Sequence, residues 1–299
     1  MTLLVPRADE VDLRAPDDLG PRRRGLAGRS ARWLLYAFLV AVFAIPLWSI
    51  VATALSGATI PPGRFVIIPD QLTLTNLVDT WTSERILRYF VNSLIVVGIG
   101  VPLQTMVSAL AAYALSRRQF WAGSIVMLIF LCTMMMPEEV IAIPLYLVLS
   151  EMPQFNVSLL NTYAGMILPV VGWAFSIFVL TKFMNELPRE LEEAARVDGA
   201  TDFGYFWRVV LPCVRPALGV VTVFGFLMIW EQYLLPLIVA QDTEMFTLQI
   251  ALLNLRQDDM IPMAVVMSAA LLAMLPSVIV YLLLQRHFHA GITAGAVKG

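Results

Sequence analysis

Three acidic residues, Glu138, Glu139 and Glu231, lie inside long apolar stretches of the sequence. A charged side chain at the centre of a bilayer costs at least roughly 2.5 kcal/mol, so an acid placed there indicates a functional role. Pro137 precedes the first two and interrupts their helix, which frees backbone groups that need a polar cavity. Carboxylates accept hydrogen bonds from hydroxyl groups, and binding sites combine such groups with aromatic walls. We therefore predict a pathway for a hydroxyl-rich substrate, lined by Glu138, Glu139, Trp230, Glu231, Gln232 and Tyr233.

The same acids allow other interpretations. At a subunit interface they would pair with a neighbouring chain instead of lining a pathway. In a proton-coupled secondary transporter, Glu138, Glu139 or Glu231 would bind and release protons, although the sequence shows no inverted repeat. In an intramembrane enzyme, the adjacent Glu138 and Glu139 would need a partner acid, base or metal that the sequence does not show.

The sequence lacks the motifs that nucleotide binding, metal binding or a disulfide would require. The sequence has no G-x-x-x-x-G-K-[ST] loop, and its two lysines, Lys182 and Lys298, follow no glycine-rich segment. The chain therefore carries no nucleotide site, and energy must come from a partner or a gradient. His287 and His289 are two residues apart in the last inner segment, a spacing more typical of solvated side chains than of a metal site, and Cys132 and Cys213 predict no disulfide. We expect no catalytic residue, cofactor or metal in this chain.

The elements that position the acids are membrane helices. Hydrophobic residues make up 59% of the 299 residues and charged residues 14%, whereas soluble domains have about 45–50% and about 25%. A spanning helix needs about 20 apolar residues. The sequence predicts an all-α polytopic membrane protein with six transmembrane helices. The six segments are Trp33–Leu55, Tyr89–Leu115, Trp121–Leu149, Ala164–Phe183, Ala217–Ala240 and Met263–Leu284.

The distribution of positive charge predicts the orientation. Sixteen of the 20 Lys and Arg residues fall on the side that holds both termini, and the positive side faces the cytoplasm. Residues 1–32 lack apolar periodicity and are predicted to be a disordered cytoplasmic arm, separate from a permease domain at 33–299. On the outer side, the segment Gln241–Pro262 either folds against the membrane surface or reaches towards a partner.

The cytoplasmic loop 184–216 is too long for a plain connection between helices. Its first part, Leu187–Gly199, predicts a short helix with Pro188 at its start, acids in its first turn and Gly199 at its stop. Thr201 or Asp202 would cap a second helix, Phe203–Val210, which ends before Pro212. The loop is acidic on balance, which opposes binding to nucleic acid. The structural alternative is an amphipathic hairpin that only braces the bundle.

Several motifs of the sequence resemble one family. The string Glu193-Ala194-Ala195, with Gly199 four residues on and Val209-x-Leu211-Pro212 after it, is similar to the cytoplasmic loop signature of binding-protein-dependent ABC importer permeases. Val209 stands where that family often has isoleucine. The carbohydrate branch, which includes the second membrane subunit of the maltose transporter, is similar over residues 33–299. Further similar segments are Asn92-Ser93-Leu94, Ala111-Ala112-Tyr113-Ala114, Asp198-Gly199-Ala200, Gln285-Arg286 and the tail from Gly291 to Gly299.

The resemblance implies a multi-pass protein of a prokaryotic plasma membrane that translocates a sugar inwards. It implies a second permease subunit, a dimer of ATPase subunits that bind ATP and Mg, and an extracytoplasmic substrate-binding protein. The ATPase would bind the loop helix, a partner cation would pair with Glu193, and the C-terminal tail would approach the ATPase. The spans offer almost no basic lining, which favours a neutral disaccharide, oligosaccharide or polyol. The residues implied in ATPase coupling are Glu193, Ala194, Ala195, Asp198, Gly199, Leu211 and Pro212.

Overall fold

The computed structural model describes residues 26–61, 63–117, 121–152, 157–258 and 260–296. Within these ranges the protein is nearly all helical, and its only β structure is the two isolated bridges Ser56–Leu72 and Met152–Val157. The α-helices are α1 (Leu26–Ala54), α2 (Thr75–Thr82), α3 (Glu84–Arg117), α4 (Gly123–Met134), α5 (Glu138–Ser150), α6 (Tyr163–Val171), α7 (Ala174–Asn185), α8 (Glu190–Val197), α9 (Asp202–Tyr205), α10 (Leu211–Cys213), α11 (Arg215–Glu231), α12 (Leu234–Val239), α13 (Leu248–Gln257) and α14 (Met263–Ala296). A π-helical turn, Phe206–Val210, joins α9 to α10, and a 3-10 turn, Thr243–Met245, precedes α13.

Four helical stretches among the described residues are long and apolar enough to cross a membrane by themselves: Arg32–Ala54, Arg85–Arg117, Tyr163–Asn185 and Met263–Leu283. Two further candidates are bent pairs. The helices α4 and α5 meet at 108°, and the segment Asp202–Cys213 meets α11 at 80°. The number of spans is therefore four, or up to six if each bent pair counts as one, which accommodates the six predicted segments without fixing their number.

The structure moves several predicted boundaries. The first helix begins at Leu26 rather than Trp33, while residues 1–25 of the predicted arm lie outside the described residues. The second predicted span begins at Glu84, and α3 continues through Gly98, Gly100 and Pro102 without a break. The fifth predicted span, Ala217–Ala240, is wrong as a single helix, because α11 ends at Glu231.

The chain divides into two compact units, 1–48 and 49–299. In the first unit, the described part of α1 exposes most of its apolar side chains, among them Trp33, Leu34 and Phe43. Exposure of apolar side chains around a helix suits contact with lipid or with another membrane subunit. The second unit contains the remaining helices and all the sites discussed below.

In the second unit, α3 lies at the centre and packs against α6, α7 and α11. One apolar cluster surrounds Trp230 and includes Val97, Met166 and Leu248. A second cluster lies at the other end of α3 and is built by Ala109, Ala112, Leu180, Met184, Phe206, Val210 and Val221. Between the clusters, the buried Gln104 amide donates a hydrogen bond to Ser176 Oγ at 2.7 Å, which links α3 to α7.

The segment between α12 and α14 folds back onto the helices of the second unit. Leu248, Ile250 and Ala251 of α13 are buried, and α13 packs against α3 and α14. The Asn92 amide donates to the carbonyl oxygens of Glu244 and Phe246 at 2.8 and 2.9 Å. The segment Gln241–Pro262 therefore packs through α13 against helices of its own chain, while the two predicted alternatives, contact with the membrane surface and contact with a partner, stay predictions.

Candidate functional site

Three apolar helical segments of the second unit are each interrupted, and the three interruptions lie close together. The interruptions lie between α4 and α5, between α6 and α7, and between α11 and α12. Each one starts a new helix whose N-cap residue, Pro137, Trp173 or Tyr233, makes no side-chain capping hydrogen bond. The first N–H groups of a helix have no partner within the helix. Irregular backbone at membrane depth persists where it lines a cavity, so these three positions mark a candidate site.

Residues from all three interruptions line one cavity of about 300 Å³, here called the break cavity. Met136 and Glu138 come from the first interruption, Gly172 and Trp173 from the second, and Gln232 from the third. Apolar side chains of α5, α6 and α12 complete the wall. A mostly apolar cavity with one carboxylate, one amide and one aromatic ring is suited to bind a polar organic molecule.

The predicted pathway residues do not all meet in this cavity. Glu138 and Glu139 are both exposed, but only Glu138, together with Gln232, is among the residues that line the cavity. Tyr233 keeps 48% of its surface exposed and also lies outside the lining. Glu138 and Glu139 both occupy the first turn of α5, where the helix dipole favours negative charge. Of the two acids, Glu138 is therefore the one placed to contact a bound molecule.

Trp230 and Glu231 face a different cavity. This second cavity, of about 320 Å³, lies between α11, α13 and α14 and is also lined by Gln249 and Ser277. Trp230 is only 2% exposed, and its Nε1 donates to the carbonyl oxygen of Ala273 at 3.0 Å. Its ring stacks on Phe226 with centroids 5.8 Å apart. Trp230 therefore has no free ring face and positions the end of α11. It is not available as the aromatic wall of the predicted pathway.

The loop 184–216, which the sequence predicts to be cytoplasmic, contains the predicted short helix. Helix α8 runs from Glu190 to Val197, so Pro188 precedes it instead of occupying its first position. Gly199 has a φ of +76°, its N–H donates to Arg196 O at 3.0 Å, and Ala200 N–H donates to Ala195 O at 2.9 Å. These two bonds form a Schellman motif, which satisfies carbonyl groups at the helix end and requires a left-handed residue. The predicted stop at Gly199 is confirmed.

The second predicted helix of the loop extends further than expected. Thr201 Oγ1 accepts a hydrogen bond from Gly204 N–H and caps α9, which fits the first of the two predicted caps. The helical path then continues through the π-helical turn and past Pro212 to Cys213. Pro212 lies in the first turn of α10, a position where its missing N–H is not needed. The chain bends at Val214, before α11.

Arg117 holds the start of the loop in place. Its guanidinium donates to the carbonyl oxygens of Met184 and Leu187 at 2.8 and 2.9 Å. Nearby, the Tyr113 ring packs on Phe206 with centroids 5.1 Å apart. Sequence reasoning counted Arg117 only as one of the cytoplasmic charges. The available signal was an arginine in the last turn of a spanning helix, but its two acceptors are about seventy residues away and are not visible in the sequence.

Most of the residues implied in coupling lie on an open surface. Glu193, Ala194, Asp198, Gly199 and Pro212 are exposed, whereas Ala195 and Leu211 are half-buried and pack against the apolar cluster around Phe206. Within the described part of the chain, the Glu193 carboxylate has no hydrogen bond or ion pair, while Glu192 pairs with Arg196 at 2.7 Å. Val197 is 89% exposed. An acid, small side chains and an exposed valine on a firmly anchored helix form a surface suited to a protein partner.

Together these features define a class of protein. Apolar helices long enough to cross a membrane, interrupted around a cavity that holds a few polar groups, are typical of proteins that move substrates across membranes. The chain belongs to the family of binding-protein-dependent transport system inner membrane components, whose model matches residues 104–294.

Relatives of known role are sugar permeases. The chain is 30% identical over 274 residues to the arabinooligosaccharides transport system permease protein AraQ of Halalkalibacterium halodurans, across 89% of this chain and 96% of that protein. It is 30% identical over 269 residues to the diacetylchitobiose uptake system permease protein NgcG of Streptomyces coelicolor, across 89% of this chain and 87% of that one.

A solved structure shares the fold. One chain in the crystal structure of a bacterial ABC transporter involved in the import of the acidic polysaccharide alginate superposes with a TM-score of 0.77. The two chains are 22% identical, and the match covers 90% of this chain and 99% of that one. A chain from the alginate transporter in complex with a pentasaccharide-bound periplasmic protein also matches, with a TM-score of 0.64.

Proposed function

We propose that this chain is a permease subunit of an ATP-driven importer that carries a sugar into the cell. The observation that carries the proposal is the exposed helix α8, anchored through Arg117 and ended by Gly199, in a member of this transport family. The proposal takes each bent pair as one span, which gives six, and takes both termini to be cytoplasmic, so that α8 would lie on the cytoplasmic side. The predicted alternative, a proton-coupled carrier, has no comparable support.

The anchoring explains how such a subunit would receive work from an ATPase. A short rigid helix transmits the rotation of a bound domain, whereas a flexible loop would absorb it. Force on α8 would reach the membrane helices through Arg117 at the end of α3 and through the apolar cluster around Phe206. Glu193 would pair with a cation of the ATPase. The ATP and Mg belong to that partner, and residues 297–299 of the predicted tail contact lie outside the described residues.

The break cavity supports a neutral sugar as the cargo. Glu138 is the only charged side chain that lines it among the described residues, and Gln232 adds an amide. A carboxylate accepts hydrogen bonds from hydroxyl groups but repels an acidic sugar. Several relatives carry names that refer to oligosaccharide uptake, including arabinooligosaccharides and diacetylchitobiose. We propose a disaccharide, oligosaccharide or polyol, delivered by an extracytoplasmic binding protein to this chain and a second permease subunit.

Coupling is tested by ATP hydrolysis in the complete reconstituted importer, stimulated by its substrate-loaded binding protein. The double variant Glu193→Gln with Gly199→Ala should lose most of the stimulated hydrolysis while the complex still assembles. Glu151→Gln removes an exposed carboxylate at the end of α5 and should behave as the wild type. Undiminished stimulated hydrolysis in the double variant contradicts the coupling role of α8.

The cavity is tested separately by uptake. Gln232→Leu removes the amide from the break cavity and leaves a substrate hydroxyl unpaired, which should lower uptake at subsaturating substrate about tenfold. Gln257→Leu makes the same change at an exposed position at the end of α13 and serves as the control. Equal uptake by the two variants would exclude a substrate contact at Gln232.

A further inference from the structure

A third cavity lies at the end of the bundle nearest the loop 184–216. It measures about 710 Å³ and opens between the last turn of α3, the start of α4 and the last turn of α7. Its polar lining comes from Ser116, Ser124, Thr181, Lys182 and Asn185. None of these side chains belongs to the break cavity or to the outer face of α8. We call this cavity the lysine groove.

Lys182 gives the groove its charge. It is the only lysine among the described residues, and within that part of the chain its ammonium group has no carboxylate partner. The ammonium lies 5.5 Å from the centre of the Phe178 ring, which holds it by a cation–π contact without neutralising it. The facing helix α4 starts after Ala122 with no side-chain cap, so its positive dipole end adds to the field. The polar rim of the groove therefore favours an anion.

The remaining wall of the groove is apolar and open. Met127, Leu128 and Leu131 follow one another along α4, and Leu128 is 60% exposed. At the rim, Trp121 is 90% exposed. Tryptophan is enriched where membrane helices meet the headgroup region, because its ring is apolar and its N–H is polar. A cationic rim above a strip of apolar side chains matches a molecule with an anionic head and a hydrocarbon tail.

We propose that the lysine groove binds one anionic phospholipid of the inner leaflet. The phosphate would lie between Lys182, Ser124 and the start of α4, and an acyl chain would follow Leu128 and Leu131. Basic pockets between membrane helices on the cytoplasmic side are suited to anionic lipid headgroups. The assignment to the inner leaflet rests on the proposed function, since that function places the loop in the cytoplasm.

The position of the groove predicts an effect on the loop. Asn185 ends α7 and lies next to Met184, whose carbonyl oxygen accepts from Arg117. A headgroup that binds Lys182 and Asn185 would brace the same turn from the opposite side of the helix end. Binding of the lipid would therefore stiffen the attachment of α8.

The test measures lipid retention by the complete importer in nanodiscs of phosphatidylcholine mixed with phosphatidylglycerol. Native mass spectrometry should show phosphatidylglycerol bound preferentially to the wild type. Lys182→Gln should lower that preference about fivefold, the factor that corresponds to one cation near an anionic surface. Lys182→Arg should keep it. Arg215→Gln removes an exposed cation at the start of α11, outside the groove, and should also keep it.

Two results would overturn the proposal. One is equal retention of phosphatidylglycerol by the wild type and Lys182→Gln. The other is a crosslink from Ser124→Cys to a helix of the second permease subunit, which would show that protein fills the groove. Retention does not depend on transport, so a failure here leaves the coupling test of Glu193 and Gly199 unaffected, and a failure of that test leaves lipid retention measurable.

Discussion

Gly199 illustrates how one residue sets the geometry of the loop 184–216. Its φ of +76° allows the chain to close the end of α8 and turn immediately towards α9. Apart from Gly199 itself and its two chain neighbours, no residue has an atom within 4 Å of the position that a Cβ would occupy, so crowding is not the reason for glycine here. The backbone conformation is the reason, because a left-handed conformation costs most L residues roughly 1–2 kcal/mol.

Gly199→Ala should therefore weaken α8 locally without disturbing the membrane helices. The expected effect is faster hydrogen exchange at Gly199 and Ala200, with a loss of local stability of about 1 kcal/mol. Gly98→Ala is the matched control, since its Cβ would meet open space in the middle of α3 and its φ is not positive. Unchanged exchange in the Gly199 variant would show that the Schellman motif does not hold the helix end.

Among the elements, the segment Gln241–Pro262 is held in place by two polar side chains of α3. The Asn92 amide donates to two carbonyl groups of the turn before α13, and its Oδ1 accepts from the Tyr163 hydroxyl at 2.8 Å. Ser93 Oγ accepts from Leu248 N–H at 2.9 Å, which fixes the start of α13. Two adjacent residues of one helix thus hold an outer segment that is distant in sequence.

Asn92→Asp should release this segment. The carboxylate cannot donate, so two carbonyl oxygens lose their donor and face a negative charge, at a cost of about 1–3 kcal/mol. Limited proteolysis between Gln241 and Gln257 should become faster than in the wild type. Asn254→Asp makes the same change at an exposed position on α13 and should leave the digestion rate unchanged. Equal protection in both variants would argue against the anchoring role of Asn92.

The contact between α3 and α11 depends on a glycine. A Cβ at Gly225 would collide with the side-chain amide of Gln104, which is fully buried and bonded to Ser176. Gly225→Ala should therefore lower thermal stability in detergent by forcing the two helices apart or displacing the amide. Combining it with Gln104→Ala should recover part of the loss, since the truncated side chain leaves room for the methyl group. A purely additive double variant would contradict this direct contact.

For the molecule as a whole, the break cavity and the loop 184–216 lie in different parts of one bundle, and α3 contacts both regions. Its early part borders the cluster around Trp230, and its end holds the loop through Arg117. A continuous packed helix of this kind can link the movement of a partner at α8 to the interrupted helices around the break cavity. Under the proposed function, a partner ATPase would supply the energy for such movement.

Uptake by intact cells should therefore follow ATP rather than the proton gradient. An uncoupler applied while ATP is maintained should leave sugar uptake largely unchanged, whereas depletion of ATP with the gradient maintained should abolish it. Labelled substrate accumulation over the initial linear phase is the measurement. The opposite pattern would favour a proton-coupled carrier that uses Glu138, Glu139 or Glu231.

The sequence by itself determined the features that depend on local patterns. Runs of apolar residues predict the membrane helices, because the length of a span is a property of one segment. The loop helix and its stop at Gly199 are likewise local, since caps depend on neighbouring residues. Pro137 predicts an interruption of the third span. The bend of 108° between α4 and α5 confirms it.

Only the tertiary structure decided which of these residues meet. Glu231 and Gln232 are adjacent in sequence but line different cavities, because α11 ends between them and the backbone at Gln232 is extended, with a ψ of 127°. Trp230 is buried by contacts with three helices, namely with Phe226 of α11, Phe90 of α3 and Ala273 of α14. The convergence of three helix breaks and the anchoring of the loop by Arg117 depend on contacts between distant segments. Such contacts are set by packing, which a periodic pattern in one chain segment does not encode.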